Sequence, residues 1–199
     1  MNLLVVGLIL LGMLGCGGSK PSRYYGLSAA RGVTGDRRID APTTRIAIGI
    51  RTLKLPEYLL RPQIITRTAN DELVAAEFDR WAEPLEKNFE RVLIEDLSKD
   101  VPTNNIFLFP VRDSSVTNFQ LVVEVTEFEL SAGNNVTLSA RWGITRGEEI
   151  VFLMNKRSTF SEHVQDEGFA PAVAAMSRLT EKLSAEIASE IREKALTAK

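Results

Sequence analysis

The sequence predicts an α+β fold: a two-layer domain with a mostly antiparallel sheet and two amphipathic helices packed on one face, carried on an N-terminal tether. Three observations predict it. Apolar residues alternate with polar ones at period two in several segments between positions 46 and 160. Two other segments, after Pro84 and after Phe169, repeat apolar residues at steps of three and four. Residues 17–44 do neither, apart from a short Tyr24-Tyr25-Gly26-Leu27 stretch. Alternation at period two gives a sheet one buried face, so both helices belong on that face.

Each element follows from its residues. Ile46, Ile48 and Ile50 alternate with Ala47, Gly49 and Arg51, a strand that stops at Leu55-Pro56. Prolines at 56 and 62 with Tyr58 between them make a fixed loop. Ile64-Ile65-Thr66-Arg67 then has the branched content of a strand. Asn70-Asp71 marks a turn into a strand over 73–78. Pro84 in an opening turn, Glu83 and Glu86 near the positive helix end, and Leu85, Phe89, Val92, Leu93 and Leu97 on one stripe predict the first helix. Pro102 closes it, and 106–111 is a short apolar strand interrupted by Pro110. Phe119, Leu121, Val123 and Val125 alternate, after which Phe128 and Leu130 continue one position out of phase, which predicts a bulge between Val125 and Phe128. Gly133-Asn134-Asn135 turns the chain into a partner strand that buries Val136, Leu138, Ala140, Trp142 and Ile144 and turns Thr137, Ser139 and Arg141 the other way. Arg146-Gly147-Glu148-Glu149 is a second turn, leading to a strand over about 150–160. The last helix spans 169–196, with Phe169, Val173, Met176, Leu179, Leu183, Ile187 and Ile191 in phase and Pro171 in its first turn.

Composition excludes several function classes. A chain of 199 residues is sized for one domain. Its 44% apolar and 25% charged residues suit a globular chain rather than a disordered or multi-span one. With 24 basic and 26 acidic residues and no block of five like charges, nucleic acid is not an expected partner. One cysteine and one histidine, at positions 16 and 163, supply neither a disulfide nor a metal cluster, so no metal and no free cofactor is expected.

Residues 3–14 are an unbroken run of apolar side chains and glycine, too short for a membrane span of ~18–20 residues and the length of a secretory core segment. Met13-Leu14-Gly15-Cys16 has the form of a bacterial lipobox, with Met13 where leucine is usual. The reading is therefore a signal peptide over 1–15 and a lipid-modified Cys16, carrying a diacylglyceryl group on sulfur and an acyl chain, such as palmitate, on the new amine. At ~0.8 kcal/mol per buried CH₂, three chains make a permanent anchor. No Lys or Arg precedes the run, which places the expected start codon upstream. Gly17 stands where an inner-membrane retention signal of the enterobacterial type would have Asp, which favours the outer membrane. Residues 16–44 form the lipidated tether, of about 30 Å root-mean-square reach at Gly/Ser-rich stiffness, and 45–199 form the domain.

No catalytic constellation is visible. His163, between Glu162 and Val164, reads as a solvated residue at a strand end with no nucleophile beside it, and no enzyme is expected. Glu83, Glu86, Glu90 and Glu95 read as the solvated side of a helix. Trp81 and Trp142 read as core. The candidate partner-binding segment is the 56–63 loop, with Pro56, Tyr58, Leu59, Arg61, Pro62 and Gln63. Its prolines lower the entropy lost on binding, and tyrosine and arginine are common interface anchors. A structural role is equally compatible, with Tyr58 and Leu59 plugging one end of the core and Arg61 capping a helix.

Nearly the whole chain resembles the PqiC (YmbA) family of ABC-type transport auxiliary lipoproteins. The resemblance rests on Tyr24-Tyr25-Gly26-Leu27 after the lipobox, on Ile46-Ala47-Ile48-Gly49, and on Leu55-Pro56-Glu57-Tyr58-Leu59-Leu60-Arg61-Pro62-Gln63-Ile64. Trp81-Ala82-Glu83-Pro84-Leu85, Phe89-Glu90-Arg91-Val92-Leu93, Leu138-Ser139-Ala140-Arg141-Trp142 and Ala174-Ala175-Met176-Ser177 extend it. It implies a periplasm-facing, lipid-anchored outer-membrane subunit of an intermembrane phospholipid transport system that serves membrane integrity. It also implies an MCE-domain (PqiB-like) partner protein and a homo-oligomer. Two other readings stand beside it: a periplasmic carrier binding one phospholipid in its own apolar pocket, and an assembly lipoprotein of another envelope complex.

Overall fold

The computed structural model describes residues 20–30, 46–101, 103, 105–109, 117–146 and 151–197. The signal peptide over 1–15, Cys16, Pro102, Pro110 and the turn at 147–149 lie outside the described residues. Among the described residues, eight strands and two helices form an α+β domain, in agreement with the sequence expectation. In chain order they are β1 (Arg23–Tyr25), β2 (Ile48–Lys54), a 3-10 turn (Glu57–Leu59), β3 (Gln63–Arg67), β4 (Leu73–Trp81), α1 (Leu85–Asp100), β5 (Ile106–Leu108), β6 (Phe119–Ser131), β7 (Asn135–Arg146), β8 (Val151–His163) and α2 (Phe169–Thr197).

The long β6 organises the sheet. One of its edges pairs antiparallel with β7 along its length, and β7 pairs antiparallel with β8. The other edge is shared end to end: β2 runs parallel along Phe119 to Glu124, and β3 runs parallel beside Leu130 and Ser131. Beyond β2 lies β5, and beyond β3 lie β4 and then β1. The longest pairings are thus antiparallel, while β1–β4, β2–β5, β2–β6 and β3–β6 are parallel and shorter. The phase slip in β6 is a register shift between Val125 and Glu127, where the sequence places a bulge. Gly133 and Asn134 adopt φ of 78° and 56° to turn β6 into β7, a conformation that glycine and asparagine adopt with least strain.

Both helices cover one sheet face. Phe89, Val92, Leu93 and Leu97 of α1 and Leu179, Leu183, Ile187 and Ile191 of α2 have no exposed surface, and each fully buried side chain of this size contributes ~1.5–3 kcal/mol. Phe89 meets Phe128 edge to face at 5.3 Å between centroids. The Trp142 indole donates to Ser158 at 2.9 Å, Ser158 donates to Glu186, and Lys156 pairs with Glu186, so polar links fix α2 against β8.

Residues 23–27, which the sequence reading places in the 16–44 tether, pack on the domain. Residues 23–25 form β1 on the edge of β4, and Leu27 is buried in the core. This strap is held by side chains distant in sequence. The Asn88 side chain bonds both the N–H and the C=O of Leu27, Ser177 accepts from the Ser28 N–H at 3.1 Å, and Asp96 accepts from the Ala30 N–H at 3.0 Å.

Candidate functional site

Residues 55–62 join two strands that lie in line along one edge of β6. On β6, six positions separate the partner of Lys54 from the partner of Thr66, whereas twelve separate Lys54 from Thr66 on the connecting chain. The excess is thrown out as a loop. Pro56 (φ −56°) opens it, and Leu59 N–H to Pro56 O at 2.9 Å and Leu60 N–H to Glu57 O at 3.0 Å close its single 3-10 turn. The Trp81 N–H then donates to Pro62 O at 2.7 Å, and Gln63 pairs with Arg80, which ties the end of the loop to β4.

The loop divides into a buried root and an exposed crest. Leu59 is 2% exposed and joins the core, and Tyr58 is half-buried. Both therefore act as plugs. The Tyr58 phenol faces Glu129 of β6 and Arg67 of β3. The Glu129 side chain has no exposed surface, although it lies on the sheet face opposite the helices, because Arg67 and Tyr58 cover it and Arg67 pairs with it. Burial raises the Tyr58 pKa above its ordinary 10, the Glu129 carboxylate raises it further, and the Arg67 guanidinium opposes both. Tyr58 is thus a neutral donor at neutral pH. Arg61 and Pro62 are exposed, Leu60 is 52% exposed, and Pro56 and Gln63 are half-buried. Arg61 projects outward, and the backbone bond of Leu60, not Arg61, closes the 3-10 turn.

The other sequence candidates fall into place. His163 is the last residue of β8, exposed, with Nδ1 3.3 Å from Asn135 Oδ1. Glu83 and Glu95 flank Arg91 at 3.0 and 3.2 Å on the solvated side of α1. Trp81 and Trp142 are 6% and 2% exposed, as core residues. Among the described residues no three His, Cys, Asp or Glu side chains are placed to share a metal ion, and no helix is long and apolar enough to cross a membrane. Cys16 lies outside the described residues.

Two features escape sequence reasoning. The first is the strap and its polar holders. The signal was present, since Asn88 and Asp96 sit in phase with the apolar stripe of α1, a position that requires a buried partner. The second is a groove of about 490 Å³ on the open sheet face, lined by Val122, Glu124, Arg141, Gly143, Phe152 and Arg157 among others. Phe152 lies so close over Gly143 that a Cβ there would meet its ring at 2.6 Å. Nothing in a run of alternating residues announces which side chain leans over a neighbouring strand.

The chain is 24% identical over 190 residues to the intermembrane transport lipoprotein PqiC of Escherichia coli, covering 94% of this chain and 96% of that protein. The PqiC of Shigella flexneri matches to the same extent. Among solved structures, a protein from Xanthomonas campestris shares the fold at a TM-score of 0.72 and 13% identity, over 89% of this chain and 100% of that one. Another, an uncharacterized protein, matches at a TM-score of 0.69 and 20% identity, over 86% and 99%. The family model for the ABC-type transport auxiliary lipoprotein component matches residues 25–188, beginning inside β1 and ending in α2. That family is a transport component and not an enzyme, and the chain belongs to it.

Proposed function

We propose that this chain is the outer-membrane lipoprotein subunit of an ABC/MCE-type intermembrane phospholipid transport system, facing the periplasm and docking the MCE assembly there. The observation that carries the reading is the family match across 25–188, together with likeness over nearly full length to a lipoprotein named for intermembrane transport. The mechanism is geometric. Three acyl chains on Cys16 hold the subunit in the membrane, the strap fixes where the chain enters the domain, and the crest of the 56–63 loop presents Leu60, Arg61 and Pro62 to an MCE-domain (PqiB-like) protein. The loop suits docking because its root is immobilised by Leu59 and the Tyr58–Glu129–Arg67 contact, so little order remains to be lost on binding. A homo-oligomer would multiply such crests around one partner.

A carrier with its own apolar pocket is the weaker reading, since the layer between sheet and helices is filled by side chains such as Phe89, Phe128 and Leu183 with no exposed surface. The experiment is affinity purification of the tagged chain from native membranes after crosslinking, with mass spectrometry of what is retained. Recovery of an MCE-domain protein, reduced at least fivefold by joint Leu60→Ser and Arg61→Ala substitution, is the expected result. Equal recovery with both substitutions sinks the loop assignment, and absence of any MCE-domain protein sinks the system assignment.

A further inference from the structure

The strap changes the geometry of anchoring. A free tether over 16–44 would let the domain float clear of the membrane, but Arg23 already pairs with Asp79 of β4, and from Cys16 to Arg23 is seven residues. Fully extended, seven residues span at most ~25 Å. The start of β1 is therefore held within that distance of the anchor, and the point of attachment is an identifiable edge. β1 runs parallel to β4 with Arg23 beside Asp79, so the N-terminal end of β1 points toward the Leu73 end of β4. Beyond that short pairing, residues 73–78 of β4 pair with β3 on one side and with no strand on the other, among the described residues.

This free edge is also apolar. Leu73 is 39% exposed, Val74 42% and Tyr24 65%, with Ala75 exposed between them and β1. Successive strand residues face opposite ways, so Leu73 and Val74 carry the apolar surface around the edge rather than onto one face. Asp71, Glu72 and Glu77 are exposed on the same strand and turn, so charge alone does not draw the edge to an anionic surface. Apolar side chains and a tyrosine are a set that lies stably at a membrane interface once an anchor brings it there.

We infer that the free edge of β4, with Tyr24, Leu73 and Val74, lies in the headgroup layer of the membrane that holds the Cys16 anchor. The inference rests on the proposed lipidation of Cys16. It fixes the orientation of the subunit: the end of the sheet at Phe119 of β6, where Phe107 and Leu108 of β5 and Phe152 and Leu153 of β8 are exposed, is turned away from this contact. It also limits depth, because unpaired N–H and C=O groups on the β4 edge need water or headgroup oxygens and cannot enter the hydrocarbon.

The test uses the full chain, purified from membranes and reconstituted in vesicles of phosphatidylethanolamine and phosphatidylglycerol. Cys16 is the only cysteine, so a lipid on its thiol leaves an introduced cysteine as the one reactive site. Tyr24→Cys, Val74→Cys and Phe152→Cys are each labelled with a polarity-sensitive nitrobenzoxadiazole dye. The expected result is blue-shifted emission at 24 and 74, quenched at least twofold more by a lipid spin-labelled near the headgroup than by one labelled at mid-chain. At 152 the dye keeps aqueous emission and is quenched by iodide. Equal iodide quenching at 74 and 152 overturns the proposal, as does shielding of 74 from both quenchers, which would mean that another protein chain covers the edge. In both cases the anchor reading survives. Reaction of the unsubstituted chain with the dye at Cys16 removes the anchor reading, and the proposal with it.

Discussion

At the scale of single residues, the Arg67–Glu129 pair is asymmetric, and the asymmetry is measurable. The Arg67 side chain is 29% exposed and the Glu129 side chain 0%. Losing Glu129 leaves an arginine that can turn to water, whereas losing Arg67 strands a buried carboxylate. Arg67→Ala should therefore cost about 3 kcal/mol and Glu129→Ala clearly less, by urea unfolding. Tyr58 gives a pH signature. Its pKa is raised in the fold, so its contribution is complete below the unfolded value of 10 and is lost as pH climbs toward the higher folded value. Tyr58→Phe should flatten the fall in stability above pH 10 and leave its pH dependence near neutrality unchanged. Gly143 tests the aromatic lid of the groove. Gly143→Ala should destabilise by about 1–3 kcal/mol, and Phe152→Ala in the same chain should recover only part of the loss, because a Cβ at 143 would meet the Phe152 ring at 2.6 Å and also the Met154 backbone oxygen at 2.9 Å. These residues were only partly legible in sequence. Tyr58 and Leu59 could be read as plugs, but nothing in the sequence pairs Glu129 with Arg67, because their meeting depends on β3 and β6 lying side by side.

Among the elements, the strap is the one whose stability responds separately to acid. Burial by itself would push the Asp79 carboxyl up. Hydrogen bonds from Arg23 and from Tyr25, at 3.0 and 2.7 Å, outweigh it and hold the carboxyl below its ordinary 3.8. A depressed carboxyl stabilises above the unfolded value and loses that contribution as pH falls through the folded one. Amides of residues 25–30, corrected for intrinsic rate, should therefore exchange faster relative to those of β6 and β7 as pH drops from about 5 to about 3. Asp79→Asn should show the fast behaviour already at pH 7, and unchanged relative exchange in either case sinks this account of the strap. The long antiparallel elements were legible because alternation, a phase slip and Gly133-Asn134 are local signals. The parallel pairings were not, since β1–β4 and β2–β6 join segments far apart in sequence and carry no mark of their partner.

At the scale of the whole molecule, the domain begins at the strap. A form starting at Lys20 should unfold at the same urea concentration as a form with the full tether. A form starting at Ile46 should lose about 4 kcal/mol, from the burial of Leu27 and from orphaned Asn88 and Asp96. The amino-acid sequence by itself determined the class of the fold, both helices, the β6–β7 hairpin with its bulge and the family, because each is written in local periodicity or contiguous motif. Only the tertiary structure decided that residues 23–27 pack on the domain, that the 56–63 loop has a buried root and an exposed crest, and that, among the described residues, β4 keeps a free apolar edge next to β1. Those depend on which distant segments become neighbours, and pairing between strands is set by the shared core rather than by any one strand's own residues.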